Sequence, residues 1–242
     1  MNPKPSTIPH SPVPSSIYLL AGGNWRKSKT PDPLLQTFFY QTFAKPPSIA
    51  YIGAASGDDP DFFHWLSVLF RTAGARQVQL APTATHRADE AEARRVLNAS
   101  DLIFVSGGDV EEGMRILAGR QLVPFLRHLH TVGKPFFGLS AGSIMLARSW
   151  VRWADPQDDA TAEAFDCLDI APILCDTHAE EDNWEELHAL LRLSKDGAVG
   201  YGIPSGGALV VAPDGFVKAL GKPAVCFRKN GKAVEQLADL GF

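Results

Sequence analysis

Short apolar runs alternate along the chain with longer segments in which apolar residues recur every three or four positions. The apolar runs predict buried strands at residues 17–21, 48–52, 77–81, 101–105 and 135–139. Helical spacing is seen between them, as in residues 61–72, where Phe62, Leu66 and Phe70 fall on one face. Apolar strands that alternate with helices predict an α/β fold: a mostly parallel sheet with helices on both faces.

The pattern changes after residue 139. Residues 150–166 are polar and without clear periodicity, which predicts irregular structure, and they are followed by a predicted strand at 170–175 and a helix at 182–193. Three later apolar runs, at 208–212, 216–220 and 224–227, predict C-terminal antiparallel strands that extend the sheet.

The first sixteen residues contain five prolines and no apolar run. This composition predicts a disordered lead-in, because a signal peptide would need a continuous apolar stretch. The chain shows neither an internal repeat nor a linker after that point. We therefore expect a lead-in at 1–16 followed by a single α/β domain at 17–242.

Charge, apolar content and cysteine spacing limit the partners and the cellular compartment that the sequence is compatible with. The net charge is −4 without a basic stripe, which argues against nucleic acid or an anionic membrane as partner. No apolar segment approaches the roughly 20 residues that cross a bilayer. Cys167, Cys175 and Cys226 lack paired spacing, so we expect a cytoplasmic protein without a disulfide framework. No metal site and no cofactor is expected, since the chain lacks both the G-x-G-x-x-G fingerprint and the P-loop lysine.

A candidate nucleophile lies in the pentapeptide Gly138-Leu139-Ser140-Ala141-Gly142. It follows the predicted strand at 135–139 and precedes a helical pattern at 143–148, which is the strand–turn–helix context of a nucleophile elbow. Such a turn exposes the serine hydroxyl, and the N–H of the next residue can stabilise an oxyanion. Ser140 is therefore predicted to be the nucleophile of a serine hydrolase, and Ala141 one oxyanion donor.

The second donor and the base are expected at other strand ends, where parallel sheets form their ligand crevice. Gly107 and Gly108 follow the strand at 101–105, and either could bring a backbone N–H close to a substrate oxygen. His178 ends the strand predicted at 170–175, whereas His188 lies within a predicted helix. His178 is therefore the predicted general base.

Together, the sequence Ser-Gly-Gly-Asp at 106–109, the pentapeptide at 138–142 and His178 resemble the aspartyl dipeptidase (dipeptidase E) and cyanophycinase family of serine peptidases. This resemblance implies a flavodoxin-like fold, as in class I glutamine amidotransferases, with serine in place of their cysteine. It also implies that Ser140 is the nucleophile, His178 the base, and Gly108 and Ala141 the oxyanion donors.

The sequence departs from that family at the third catalytic position. The family places an acid shortly before a strand such as the one at 208–212, and the matching position here is Ser205. Asp155 aligns with an aspartate of the dipeptidase branch and is the candidate named here. Asp176 and Glu180 are closer to His178 in sequence, and the choice among the three stays open.

A second departure concerns specificity. The dipeptidase branch is expected to hold the aspartate of its substrate with an arginine after the histidine, whereas residues 179–186 read Ala-Glu-Glu-Asp-Asn-Trp-Glu-Glu. These acids either complement the dipole at the start of a helix or form an acidic rim that favours an amine or a cationic side chain.

Three functions are compatible with the sequence. The first is a serine peptidase that cleaves small peptides or isopeptides through an acyl-enzyme on Ser140. The second is a non-catalytic, amidotransferase-like binding module that has lost its triad acid. The third is an esterase-type α/β-hydrolase, which needs an acid between serine and histidine. The expected partner is a small peptide substrate, and a homo-oligomer is left open.

Overall fold

The computed structural model describes residues 15–23, 32–85 and 89–241. Its strands are β1 (Ile17–Leu20), β2 (Ser48–Ile52), β3 (Gln77–Ala81), β4 (Leu102–Val105), β5 (Phe136–Leu139), β6 (Ser149–Trp153), β7 (Ala162–Asp166), β8 (Leu174–Thr177), β9 (Val199–Ile203), β10 (Ala208–Val211), β11 (Val217–Leu220), β12 (Val225–Asn230) and β13 (Ala233–Gln236). Its α-helices are α1 (Pro33–Thr42), α2 (Pro60–Thr72), α3 (Glu90–Ala99), α4 (Val110–Gly119), α5 (Val123–Thr131), α6 (Ala141–Leu146) and α7 (Glu185–Leu193).

A seven-stranded sheet forms the centre of the fold, in the order β11-β10-β1-β5-β4-β2-β3. The five strands from β1 to β3 in this order are parallel, and β10 and β11 continue the sheet antiparallel. The predicted fold class is confirmed: a mostly parallel sheet with C-terminal antiparallel strands. The five predicted parallel strands agree with the observed ones to within one residue at each end.

Side chains on the parallel strands alternate between two cores, one on each face of the sheet. Ile103 and Val105 face the core formed with α3, α4, α5 and α6. Phe104 and Phe137 face the core under α1 and α2, where their rings lie 4.6 Å apart. Because helices cover both faces, the inner strands β4 and β5 are buried at every residue, whereas the edge strand β3 is partly exposed.

Two smaller sheets lie beside the central one. Strands β13-β12-β9-β8 form a four-stranded sheet, and β6 pairs with β7 in an antiparallel hairpin. The prediction of irregular structure at 150–166 is therefore wrong. The hairpin lacks a clear sequence pattern because much of β7 is exposed, so its strand carries no regular apolar alternation.

Other boundaries also differ from the predictions. The strand predicted at 170–175 begins only at Leu174, and the helix predicted at 182–193 begins at Glu185, after Trp184 adopts a left-handed conformation with φ +61°. The last predicted strand, β12, joins the four-stranded sheet and not the central one.

Residues 1–14 of the predicted lead-in lie outside the described residues, and the assignment of 17–242 as one domain stays a prediction. Within the described ranges, no helix has the length and apolar character needed to cross a membrane.

The predicted nucleophile turn, between β5 and α6, is positioned by the contact of α6 with the end of β4. A Cβ atom at Gly142 would lie 2.0 Å from the carbonyl oxygen of Val105, so the helix can approach the strand this closely only without a side chain there. Gly138 is similarly constrained, because a Cβ atom at that position would lie 2.6 Å from the nitrogen of Ser143.

We therefore expect Gly142→Ala to lower the free energy of unfolding by at least about 2 kcal/mol, because the backbone of β4 or α6 must move. Gly119→Ala is the matched control in another helix, where a Cβ atom would meet nothing within 4 Å. It should leave stability unchanged or raise it by up to about 1 kcal/mol. Urea denaturation monitored by circular dichroism measures both; equal stability of the two variants would contradict the packing constraint.

Candidate active site

Ser140 lies in a sharp turn between β5 and α6. Its backbone angles are φ +53° and ψ −125°, a conformation that is rarely adopted by residues other than glycine. The turn is fixed from both sides of the serine. Its N–H donates to the carbonyl of Leu20 (2.8 Å), and the Ser143 hydroxyl donates to the same oxygen (2.9 Å). The strain is thus sustained by hydrogen bonds to the neighbouring strand β1.

His178 follows the last residue of β8 and also has a positive φ, of +46°. Its N–H donates to the carbonyl of Ile203 at the end of β9 (2.9 Å). The structure brings its side chain to the serine: Nε2 lies 2.6 Å from the Ser140 hydroxyl oxygen. This distance is within hydrogen-bond reach and allows proton transfer between the two groups.

Gly108 and Ala141 lie beside Ser140 along one cavity. Gly108 has φ +142°, and a Cβ atom there would lie 2.0 Å from the carbonyl of Ala55, so glycine is required on both counts. In the described part of the chain, neither the Gly108 N–H nor the Ala141 N–H donates a backbone hydrogen bond. Both donors are therefore available, and their role in binding an oxyanion stays a prediction.

Asp109, next to Gly108, caps a helix. Its carboxylate accepts from the N–H of Glu112 (2.8 Å) and caps the N-terminus of α4, as its position in the sequence suggests.

The three candidate acids occupy different environments. Asp155 is exposed, and its carboxylate accepts from the N–H of Gln157 (3.0 Å) within its own turn. No hydrogen bond joins Asp155 to His178 among the described residues, so its assignment as a catalytic residue stays a prediction that the geometry does not favour.

Glu180 lies closer to the expected place of the acid. Its Oε1 accepts from the backbone N–H of Ser205 (2.6 Å), and its Oε2 lies 3.5 Å from the Ser205 hydroxyl. A carboxylate thus stands beside the position where the family resemblance places one, but it is supplied by a residue 25 positions earlier in the chain. Sequence reasoning named Glu180 but could not detect this pairing.

Asp176 is the most buried of the three, with 2% of its surface exposed. Its Oδ1 accepts from the N–H of Thr177 (2.7 Å), and its Oδ2 has no hydrogen-bond partner among the described residues. Burial raises the pKa of this carboxyl to about 7, and the neighbouring carboxylates of Glu186, Asp182 and Glu180 act in the same direction.

Two cavities meet at Ser140. One, of about 390 Å³, is lined by Gly108, Ser140, Ala141 and His178 and extends to Asp176, Glu186 and the indole rings of Trp150 and Trp153. We call it the acidic cavity.

The second cavity, of about 670 Å³, lies against α2 and is lined by Phe62 and Trp65, whose rings stack at 5.7 Å. The sequence predicted Phe62 only as part of the apolar face of a helix and assigned no role to Trp65. Nothing in the helical pattern separated side chains that face a cavity from those in the core.

His188, the other histidine after the elbow, is placed away from the nucleophile. Its ring packs edge-on against Phe227, with the centroids 4.5 Å apart. Across the described ranges, no group of three or more His, Cys, Asp or Glu side chains is arranged to hold a metal ion.

The buried Asp176 makes stability depend on pH. Its pKa is raised in the folded state from an ordinary value of 3.8 to about 7, so unfolding releases a proton at intermediate pH and stability falls as pH rises between these values. At about 1.4 kcal/mol per pKa unit, the loss is at most about 4 kcal/mol. Asp176→Asn should remove this loss and be more stable than the parent at pH 8.

Thermal or urea unfolding of the parent and the variant at pH 5 and pH 8 measures this effect. Glu181→Gln, which removes an exposed carboxylate from the neighbouring segment, is the control and should follow the parent. If the difference in stability between the parent and Asp176→Asn is the same at pH 8 as at pH 5, Asp176 ionises without a cost in stability.

Comparison with known proteins identifies the family and the fold. The family model of peptidase family S51 matches residues 17–218. No curated protein matches the chain. A crystal structure of a peptidase from an acI-B1 Actinobacterium is similar with a TM-score of 0.71 and 18% identity, over 96% of this chain and 98% of that one.

A putative peptidase E protein from Listeria monocytogenes EGD-e is similar with a TM-score of 0.62 and 16% identity, over 86% of this chain and 99% of that one. At these identities the likeness shows the fold, whereas the family model covers most of the sequence. The resemblance to the dipeptidase E family is therefore confirmed, and the chain belongs to peptidase family S51.

Proposed function

We propose that this protein is a serine peptidase that hydrolyses small peptides or isopeptides through an acyl-enzyme on Ser140. The observation that carries the proposal is the 2.6 Å contact between the Ser140 hydroxyl and His178 Nε2 at the carboxyl edge of the parallel sheet. Membership of a peptidase family supports the reaction class.

In the proposed reaction, His178 takes the proton of the Ser140 hydroxyl while the oxygen attacks the carbonyl carbon of the substrate. The carbonyl oxygen becomes an oxyanion, which accepts from the N–H groups of Gly108 and Ala141. His178 then gives its proton to the leaving nitrogen, and the C–N bond breaks. A water molecule, deprotonated by His178, hydrolyses the resulting ester and restores the serine.

The positively charged imidazole formed in this cycle needs a nearby negative charge. We propose that Glu180 supplies it. Its carboxylate is held by the Ser205 N–H next to the position that carries the acid in the family, and it lies two residues after His178 in the same loop. Glu180 is then a positioning residue, because it acts on the substrate only through His178.

One observation favours a second candidate function, the non-catalytic binding module. Among the described residues, the only hydrogen bond of the His178 side chain is the one to Ser140, so no acceptor fixes its other nitrogen. A histidine without that acceptor is a weaker base. By contrast, family membership weighs against an esterase of the α/β-hydrolase type.

The nucleophile is tested with a fluorophosphonate probe. We expect covalent labelling of Ser140, because the strained turn exposes the hydroxyl and His178 accepts its proton. Ser140→Ala should abolish both labelling and hydrolysis of a dipeptide panel. Ser194→Ala, at the C-terminus of α7, is the control and should keep its labelling. Mass spectrometry of the labelled peptide locates the adduct, and labelling that persists in Ser140→Ala would refute the assignment.

The role of Glu180 is tested by substitution. Glu180→Gln keeps the shape of the side chain and removes its charge, so we expect kcat to fall about 100-fold with little change in KM. Glu180→Asp should retain more activity than Glu180→Gln. Asp155→Asn is the control for an exposed acid and should stay within about twofold of the parent.

Adding Ser205→Glu to Glu180→Gln places a carboxylate at the family position and should restore part of the lost kcat. If Asp155→Asn instead causes the large loss while Glu180→Gln is neutral, the acid is Asp155. If the parent is inactive and Ser205→Glu alone creates activity, the binding module is the correct function.

A further inference from the structure

The acidic cavity beside Ser140 differs from its surroundings in the charge of its lining. Asp109, Glu111, Asp176 and Glu186 contribute carboxylates, and Arg152 is the only lysine or arginine among its described lining residues. We infer that this cavity binds a cationic nitrogen of the substrate, an ammonium or guanidinium group, and so selects positively charged peptides. The inference rests on the proposed peptidase function and names its substrate class.

Asp176 is the observation that points to a ligand. It lines the cavity, is 98% buried, and has an Oδ2 atom without a hydrogen-bond partner in the described structure. An ionised carboxylate in such a place is costly unless a donor or a positive charge compensates it. A substrate cation would provide both, since ammonium and guanidinium groups are donors as well as charges.

The arginine in the lining does not provide this compensation. Arg152 Nη1 lies 2.9 Å from a carboxylate oxygen of Glu111, and its Nη2 lies 2.5 Å from one of Glu163. Its charge is therefore engaged by two carboxylates, of which only that of Glu111 lines the cavity, and Glu111 is neutralised in return. The Asp109 carboxylate is used as the cap of α4.

Among the described lining residues, and apart from the cap of α4, the two carboxyl groups that remain without a cationic partner are those of Asp176 and Glu186. The carboxylates around Asp176 are Glu180, Asp182 and Glu186, all of which raise its pKa. Desolvation raises the pKa of Glu186 as well, followed by the effects of Asp182 and Glu185. His178 faces the same cavity from the end of β8. A bound cation would be stabilised by both carboxylates and would favour their ionised forms.

The walls fit a cation with an apolar stem. Trp150, Trp153, Ile144 and Val151 line the same cavity and offer aromatic and aliphatic surface. Alkyl stems of lysine and arginine pack on such surfaces while their heads reach a polar group, and indole faces attract cations. A free N-terminal ammonium has the same charge but no alkyl stem. Experiment can therefore distinguish recognition of a cationic side chain from recognition of the N-terminus of the peptide.

The test measures binding to Ser140→Ala by isothermal titration calorimetry, which does not depend on turnover. The ligands are Lys-Ala, norleucyl-Ala and their N-acetylated forms, which vary the side-chain charge and the terminal charge independently. Ala-Lys and Ala-norleucine place the same side chains on the leaving-group side. We expect a cationic ligand to bind at least about tenfold more tightly than its neutral counterpart.

Norleucine replacing lysine should reduce affinity if the side chain is recognised, and acetylation should reduce it if the terminal ammonium is. Glu186→Gln and Asp176→Asn, each in the Ser140→Ala background, should reduce the preference for the cation about tenfold or more. Glu181→Gln removes an acid that does not line the cavity and should leave the preference unchanged. Unfolding curves verify that each variant is folded.

Equal affinity for cationic and neutral ligands, no binding of any of them at millimolar concentration, or a preference that survives both substitutions would overturn the inference. Failure of the proposed function is distinguishable, because it would leave the cation preference intact while the parent hydrolyses none of these peptides. The reverse result, hydrolysis of charged and neutral dipeptides with equal kcat/KM, would reject the inference alone.

Discussion

The site depends on one constraint: the backbone of α6 lies directly against the ends of β4 and β5. The contact is so close that Gly142 faces the carbonyl of Val105, and Gly138 faces the backbone of Ser143. This leaves no room for an ordinary turn after β5. The turn at Ser140 therefore takes a strained conformation, and hydrogen bonds to Leu20 on β1 hold it there. The close glycine contacts and these hydrogen bonds thus maintain the strain at the serine.

The base comes from a different sheet, so its position depends on how that sheet is joined to α6. The link is made of backbone hydrogen bonds: Ala171 donates to Leu146 at the end of α6, and Arg148 donates to Ile173 just before β8. Together they place the end of β8 beside the start of α6. The contact between Ser140 and His178 follows from this joint, which explains how residues on two sheets come within 2.6 Å.

Much of this arrangement could be predicted from local sequence. The elbow was visible because its glycines, the preceding strand and the following helix all fall within about ten residues. The cap of α4 by Asp109 is a local feature of the same kind. By contrast, the pairing of Glu180 with Ser205 joins two loops, and the exposed strand β7 carries no periodic signal. Such features are set by tertiary packing, which overrides local preference in short, polar segments.

The acidic residues after His178 have one role that the sequence indicates and a second that only the fold shows. In the sequence, these acids are equally consistent with the first turn of a helix and with an acidic rim at the site. In the structure, Glu185 and Glu186 do lie in the first turn of α7. The fold gives Glu186 a second environment, since its side chain also lines the cavity that contains the buried Asp176. One helix start therefore places a carboxylate near both the helix dipole and the nucleophile. Burial and the neighbouring carboxylates both disfavour the ionised form of Asp176, so a positive group bound in this cavity would favour the ionised forms of both acids.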